Sequence, residues 1–253
     1  MNEFVSRDPQ LHEITGVFVI PPEALAKLQP MPRMWRPSKI DARAAEEPVM
    51  AETLAWMRSF LARPHPDLGR SGPVCPFVPV AFVKDTVFLT VIRGADISTD
   101  EITDVAARFR DVFLELPPKD GEESINKALM MIFPDMPAEL AVERIDPVQQ
   151  RLKPEYTRHG LMLGEFHSLN NTSGLRNPDF HPLQSPYPML VIRHMVDTDL
   201  PFLCRESDSP NVRLGFLKAY LRRLGGTISD HKLDLAIRGL VEAELEQRGL
   251  KLL

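Results

Sequence analysis

Apolar residues recur along this chain at two different spacings, and the changes between them divide it into elements. Met50, Leu54, Met57 and Leu61 are three and four residues apart, which predicts a helix from Glu47 to Arg63, ended by Pro64. Val78–Val83 and Val87–Ile92 are nearly continuous runs rich in Val and Phe, separated by Lys84-Asp85. They read as a β-hairpin, or a strand with a bent entry, in the middle of a covered sheet. Ser98 or Thr99 caps a helix with Asp100 and Glu101 in its first turn, where the helix dipole favours negative charge. Its inner stripe is Ile102, Val105, Phe109, Val112, Phe113 and Leu116, and Pro117-Pro118 stop it. Ala128–Phe133 follows as a strand, then a helix from Pro137 to Leu152 that Pro147 should kink or divide.

Leu161–Phe166 and Pro188–Val196 are the last two strands, joined by Ser168–Tyr187, a long aperiodic loop whose interspersed apolar residues favour order. A short helical turn, Asp199–Cys204, precedes two helices near Val212–Leu224 and Ser229–Arg248. This order predicts an α+β fold: one domain, with a mixed central sheet of about five strands, helices packed on it and a C-terminal helical pair. Residues 1–47 form a proline-rich arm with a small helix at Glu23–Lys27 and Trp35 as a packing anchor. Residues 48–205 form the core and 206–253 a helical cap.

Composition narrows the function. Among 253 residues, 35 acidic and 30 basic side chains are mixed without blocks, giving a net charge of -5 and no clustered basic face for nucleic acid. Two cysteines are too few for a secreted disulfide scaffold, and the first residues lack a signal-peptide pattern. No apolar stretch is long enough to span a bilayer. A cytoplasmic protein acting on a small-molecule substrate is the expectation. The 24 prolines against 13 glycines favour short elements joined by stiff turns.

The stiffest turn is Arg70-Ser-Gly-Pro-Val-Cys-Pro-Phe-Val-Pro79. Prolines fix φ on both sides of Cys75, so its thiol is held. Such a thiol suits a metal or haem ligand or a nucleophile, and equally a structural turn. GxGxxG, Walker, HExxH and GxSxG motifs are absent, which weakens nucleotide, zinc-hydrolase and α/β-hydrolase readings. His167 and His194 stand at strand ends near the long loop, and His181 lies within it. Cys75 and His194 are the two residues best placed to coordinate iron, while His167 and His194 could equally make core hydrogen bonds. Arg193 interrupts an apolar strand and needs an anion if buried: a substrate carboxylate, a haem propionate, Glu165 or Asp199.

Gly69–Phe77, Gly160–His167 and Ser185–Val196 resemble the successive patterns of an uncharacterised bacterial Cys-Pro-Phe family, over roughly residues 50 to 205. More distantly, the order of a Pro-Cys turn, a strand, a helix and later strands is similar to the YqcI/YcgG-type family of haem-dependent N-oxygenases. That resemblance implies a haem site with Cys75 as thiolate ligand and Phe77, Arg193 and His194 around the cofactor. It further implies an oxygenase acting on a small amine, guanidino or natural-product substrate. Where that family carries Asn-x-Pro and Arg-x-Ser-Arg segments, this chain reads Ile192-Arg-His-Met-Val-Asp-Thr-Asp199. Two other readings stand beside it. One is a non-enzymatic binding or partner protein of a biosynthetic operon, and the other is cofactor-free acid/base chemistry at Glu165 and His167.

Overall fold

A computed structural model describes residues 33–250 and, before them, the strands β1 (His12–Ile14) and β2 (Val17–Val19). The expected helix at Glu23–Lys27 lies outside the described residues. The remaining strands are β3 (Arg33–Trp35), β4 (Val87–Val91), β5 (Ala128–Ile132), β6 (Leu161–Phe166) and β7 (Met189–His194). They form one mixed sheet in the order β1-β2-β3-β4-β5-β7-β6, in which the β4/β5 pair is parallel and the others antiparallel. The fold is the expected single α+β domain, with five strands between residues 33 and 194.

One of those five is not the strand the sequence suggested. Val78–Val83 is a short helix, α3, entered through Pro79 in its first turn. Val78 and Ala81 are buried while Val80 and Val83 stay 41% and 87% exposed, a spacing of three that a half-buried strand would not give. The vacant place beside β4 is taken by β3, where Met34 pairs with Thr90 and Trp35 with Leu89. Trp35 is therefore a sheet residue as well as the packing anchor expected, buried to 1% exposure.

Two layers of helices cover the sheet. On one face lie α1 (Pro37–Ala42), α2 (Pro48–Trp56), the π-helical turn Met57–Leu61 that continues α2, and α3. There Trp35, Met50, Leu54 and Met57 pack on Val87, Leu89, Met130 and Met189. The other face carries α4 (Thr99–Glu115) and α6 (Ala138–Arg158), with Phe109, Phe113, Ile145 and Tyr156 on Phe88, Leu129, Met131, Leu161, Leu190 and Ile192. Burying apolar side chains of this size contributes about 1.5–3 kcal/mol each. Of the two caps expected for α4, Ser98 is the one used, and Glu101 returns the bond to complete a capping box. Between α4 and β5, α5 is a single turn, Gly121–Ser124.

α6 continues through Pro147 and Pro154 instead of dividing. Ala141, Ile145, Val148, Leu152 and Tyr156 are buried on both sides of Pro147, so one uninterrupted apolar stripe holds the helix together across the missing hydrogen bonds. Beyond β7, α7 (Leu200–Leu203), α8 (Pro210–Leu224) and α9 (Asp230–Gln247) build a third cluster from Leu203, Phe216, Leu217, Tyr220 and Ala236 around Met195. α8 and α9 are the C-terminal pair. No helix among the described residues is long and apolar enough to cross a membrane.

Candidate functional site

β6 is the last strand of the sheet, and α6 flanks it. Successive side chains alternate across a strand, so Leu161 and Leu163 enter the α4/α6 core while Phe166 joins the α2/α3 side. Glu165 falls in register with Leu161 and Leu163. From α6, Asp146, Gln149 and Lys153 are three and four residues apart and therefore share one flank of the helix. Each holds a different part of the neighbouring structure. Gln149 Nε2 donates to Leu163 O at 3.0 Å, and His167 Nε2 donates to Asp146 Oδ1 at 2.9 Å. Lys153 Nζ donates to Phe202 O at 3.1 Å and Asp208 Oδ2 at 3.3 Å, and sits 4.6 Å from the Phe216 ring centroid.

Glu165 lies in the middle of this arrangement, half-buried, with Asn170 Nδ2 donating to its carbonyl. Burial pushes its carboxyl up to about 7, and the Asp146 carboxylate pushes in the same direction. Its own backbone N–H, Arg205 and Lys153 oppose the shift without cancelling it. A carboxyl tuned in this way changes protonation state near neutrality, the requirement for a general acid or base working there. Of the two readings of His167, its contacts match the core hydrogen-bonding one. Its side chain is 0% exposed and its Nδ1 is buried without a hydrogen-bond partner, so it ties the end of β6 to α6 from the inside. Burial also depresses Lys153, against the opposing pull of Asp208.

The Cys75 turn occupies the opposite face. Gly69 and Gly72 adopt φ of 71° and 87°, as the turn requires, and a side chain at Gly69 would meet Arg176 Cβ at 3.0 Å. Val74 N–H donates to Arg63 O at 2.8 Å and Cys75 N–H to Leu61 O at 2.9 Å, which pins the turn to the end of the π-helical segment. The thiol is held, as its proline frame predicted. Cys75 is half-buried against the α2/α3 cluster, alongside Trp56, Phe60, Phe166 and Tyr187. Phe77 precedes α3 as its N-cap and is half-buried. The loop 168–187 is ordered over this side: Asn177 Nδ2 donates to Asp67 O at 2.9 Å, and Phe180 stacks on His65 with ring centroids 4.8 Å apart.

Arg193 is on the Cys75 side, because Met189 and Val191 of the same strand pack there. Its two terminal nitrogens donate to Asp199 at 2.6 and 2.7 Å, and Nη1 also donates to His194 O at 3.0 Å. Burial works against the charge, but the Asp199 pair and the nearby Cys75 sulfur raise the guanidinium above its usual value. Of the anions considered for Arg193, Asp199 is the one it holds.

His194 lies across the sheet from Cys75. Its ring is 5.1 Å from that of Phe113 in the α4/α6 core, and its Nε2 is buried without a partner. Burial, then Lys127 and Arg223, push it down to about 4. Cys75 and His194 therefore cannot ligate one iron from its two sides, which corrects the expected ligand pair. A thiolate–imidazole pair from Cys75 and His194 is therefore not available to a haem. Arg193 is already engaged by a carboxylate, so it is not free for a propionate. Among the described residues no three His, Cys, Asp or Glu side chains converge to hold a metal ion.

Asp146, Lys153, Arg205 and Asp208 were missed by the sequence reading. The signal for the first two was present: Asp146, Gln149 and Lys153 form a polar row beside the apolar stripe of α6. Fold and site together define an α+β protein with a neutral-range carboxyl at its terminal strand. Residues 50–234 match the family described as Domain of unknown function (DUF6875), and the chain belongs to that family. No curated protein and no solved structure matches it.

Proposed function

We propose that this chain is an enzyme that moves a proton on a small-molecule substrate, with Glu165 as the general acid/base and no cofactor in the transfer. The carrying observation is the half-buried carboxyl pushed up to about 7. Ionised Glu165 would take a proton from an acidic C–H or N–H bond, and the resulting acid would return it at a second position or to a leaving group. Isomerisation and elimination are the reaction classes that balance without an oxidant. Asp146 raises the affinity of Glu165 for the proton, and His167 fixes Asp146, so both act through Glu165 as positioning residues. Two free cysteines support a reducing, cytoplasmic setting.

The test is deuterium wash-in from D2O across a panel of small carbonyl and amino acids, with the intact chain. Activity should fall about 10²–10⁴-fold in Glu165→Gln, the usual contribution of a general acid or base. Exchange that survives the substitution, or a Glu165 carboxyl titrating at 4.5 by ¹³C NMR, would exclude the proposal.

The Cys75 face favours a second reading. Segments from all three motif stretches meet there, namely Cys75, Phe166 and Arg193, beside half-buried Trp56 and Phe60. Haem bound through the Cys75 thiolate would supply an electron-rich iron that promotes O–O cleavage, as in an oxygenase acting on a small amine or guanidino compound. Expression with a haem precursor should then give a Soret band that Cys75→Ala removes. A colourless protein that takes up no added haem sets this reading aside.

A further inference from the structure

α9 meets the rest of the molecule along a narrow inner face. Ala236 and Ala243 are buried there against α8, and a Cβ added at Gly239 between them would meet Leu217 Cδ1 at 3.4 Å and Cys204 Sγ at 3.7 Å. Glu246 pairs with Arg213 of α8 at the edge of this face. The same helix carries a second apolar row that the packing leaves uncovered. Ile237 and Val241 are 46% and 41% exposed, and half-buried Leu245 continues the row one turn further on. Val241 is turned about 140° from Ala236 around the helix axis. The outer side of a helix already anchored by its inner side is normally polar, and an apolar row there marks an interaction surface.

The row is symmetric about Val241 in position and complementary in charge. Ile237 and Leu245 stand four residues before and after it, Arg238 and Glu244 three, and Asp234 and Arg248 seven. Offsets of three, four and seven keep all these side chains on one flank. When two copies of the helix run antiparallel with Val241 opposite Val241, each residue before that point meets the residue at the same offset after it. Ile237 then packs on Leu245 of the other copy, Arg238 faces Glu244, and Asp234 faces Arg248. Each of these charged contacts is attractive, and the two-fold relation makes each occur twice. Glu244 and Arg248 already pair within one chain, with 2.6 Å from Oε1 to Nη2, so Arg238 and Asp234 of a second copy extend that pair into a row of alternating sign. A parallel pairing would instead set every charge beside its own counterpart.

We propose that the outer face of α9 docks a second copy of this chain, antiparallel and related by a two-fold axis at Val241. The contact is isologous, so it closes at a dimer. A single pair of helices buries less than the roughly 800 Å² per partner of a standard interface, so the dimer is weak and dissociates on dilution.

Sedimentation velocity of the full chain over a dilution series at low salt is the experiment. The parent should pass from monomer to dimer as concentration rises. Val241→Glu, which sets two carboxylates on the axis, should leave monomer throughout. Leu235→Glu, at an exposed position about 120° around the same helix, should keep the dissociation constant within about twofold. Arg238→Glu and Glu244→Arg should each weaken association about 10-fold, since each turns two attractive contacts into repulsive ones. An equimolar mixture of these two variants should recover the parental association, because the mixed dimer has opposite charges at both contacts. Far-UV circular dichroism matching the parent shows that each variant is folded. A parent that stays monomeric up to about 1 mM leaves the face to some other partner and overturns the proposal. So does a dimer indifferent to Val241→Glu, or a mixture that associates no better than its two components.

Discussion

His167 and Asp146 meet at 2.9 Å, joining the end of the terminal strand to the middle of α6. The contact fixes the position of a negative charge that acts on Glu165. Because the Asp146 carboxylate raises the proton affinity of Glu165, removing that charge must lower it. Asp146→Asn keeps a group able to accept from His167 and should move the Glu165 midpoint down from about 7. ¹³C NMR of labelled glutamate carboxyls would show the change. An unchanged midpoint would mean that burial alone sets Glu165.

Glu165 should also weaken the fold at high pH. Its folded value of about 7 is above the reference of 4.5, so the contribution of its protonated form is fully present below 4.5 and is lost as pH rises through 7. Glu165→Gln holds the neutral form at every pH. Each tenfold difference in proton affinity between folded and unfolded chain is worth about 1.4 kcal/mol. Relative to the parent, the variant should therefore gain up to about 3 kcal/mol at about pH 8 and nothing comparable in mild acid. Urea unfolding at the two pH values checks the sign, and a substitution that destabilises equally at both would contradict it.

His194 gives the opposite pH dependence. Its folded value of about 4 is below the reference of 6.5, so stability from the buried neutral ring is present above 6.5 and is lost as pH falls toward 4. Phe113 at 5.1 Å and the cations Lys127 and Arg223 offer the imidazolium no anionic partner. His194→Leu should flatten this acid limb by up to about 3 kcal/mol while leaving stability above neutrality within about 2 kcal/mol. If His194 instead ligated a metal ion in the folded chain, adding chelator would reproduce the substitution.

Much of the architecture was legible where one period dominated, as in α4 with its N-terminal cap and in the β5, β6 and β7 runs. Val78–Val83 was misread because an unbroken apolar run carries no period. Only the burial of Val78 and Ala81 against exposed Val80 and Val83 reveals the helix. β3 went unnoticed since three residues among prolines are a strand only through their pairing with β4. At the site, Glu165 and His167 were visible from their place at a strand end. Asp146, 21 residues before His167, was not, because that contact depends on how α6 lies against β6. The separation of Cys75 from His194 was readable in part: adjacent residues of one strand point to opposite faces, so Arg193 and His194 could not both face Cys75.

Arg193 and Asp199 provide the last prediction, because the pair connects β7 to the segment leading into α7. Asp199 is 1% exposed and accepts from both terminal nitrogens of Arg193 and from Val196 N–H at 2.8 Å. Asp199→Ala would leave a largely enclosed guanidinium without its counter-charge and a buried N–H without an acceptor. Breaking one half of such a pair costs about 3–5 kcal/mol, whereas replacing both partners by apolar groups often costs far less. Thermal unfolding of Asp199→Ala, Arg193→Met and the double substitution Arg193→Met/Asp199→Leu should therefore show the double variant more stable than Asp199→Ala. If Arg193 were instead held for an external anion such as a propionate, Asp199→Ala would lose little, and added phosphate would restore what it lost.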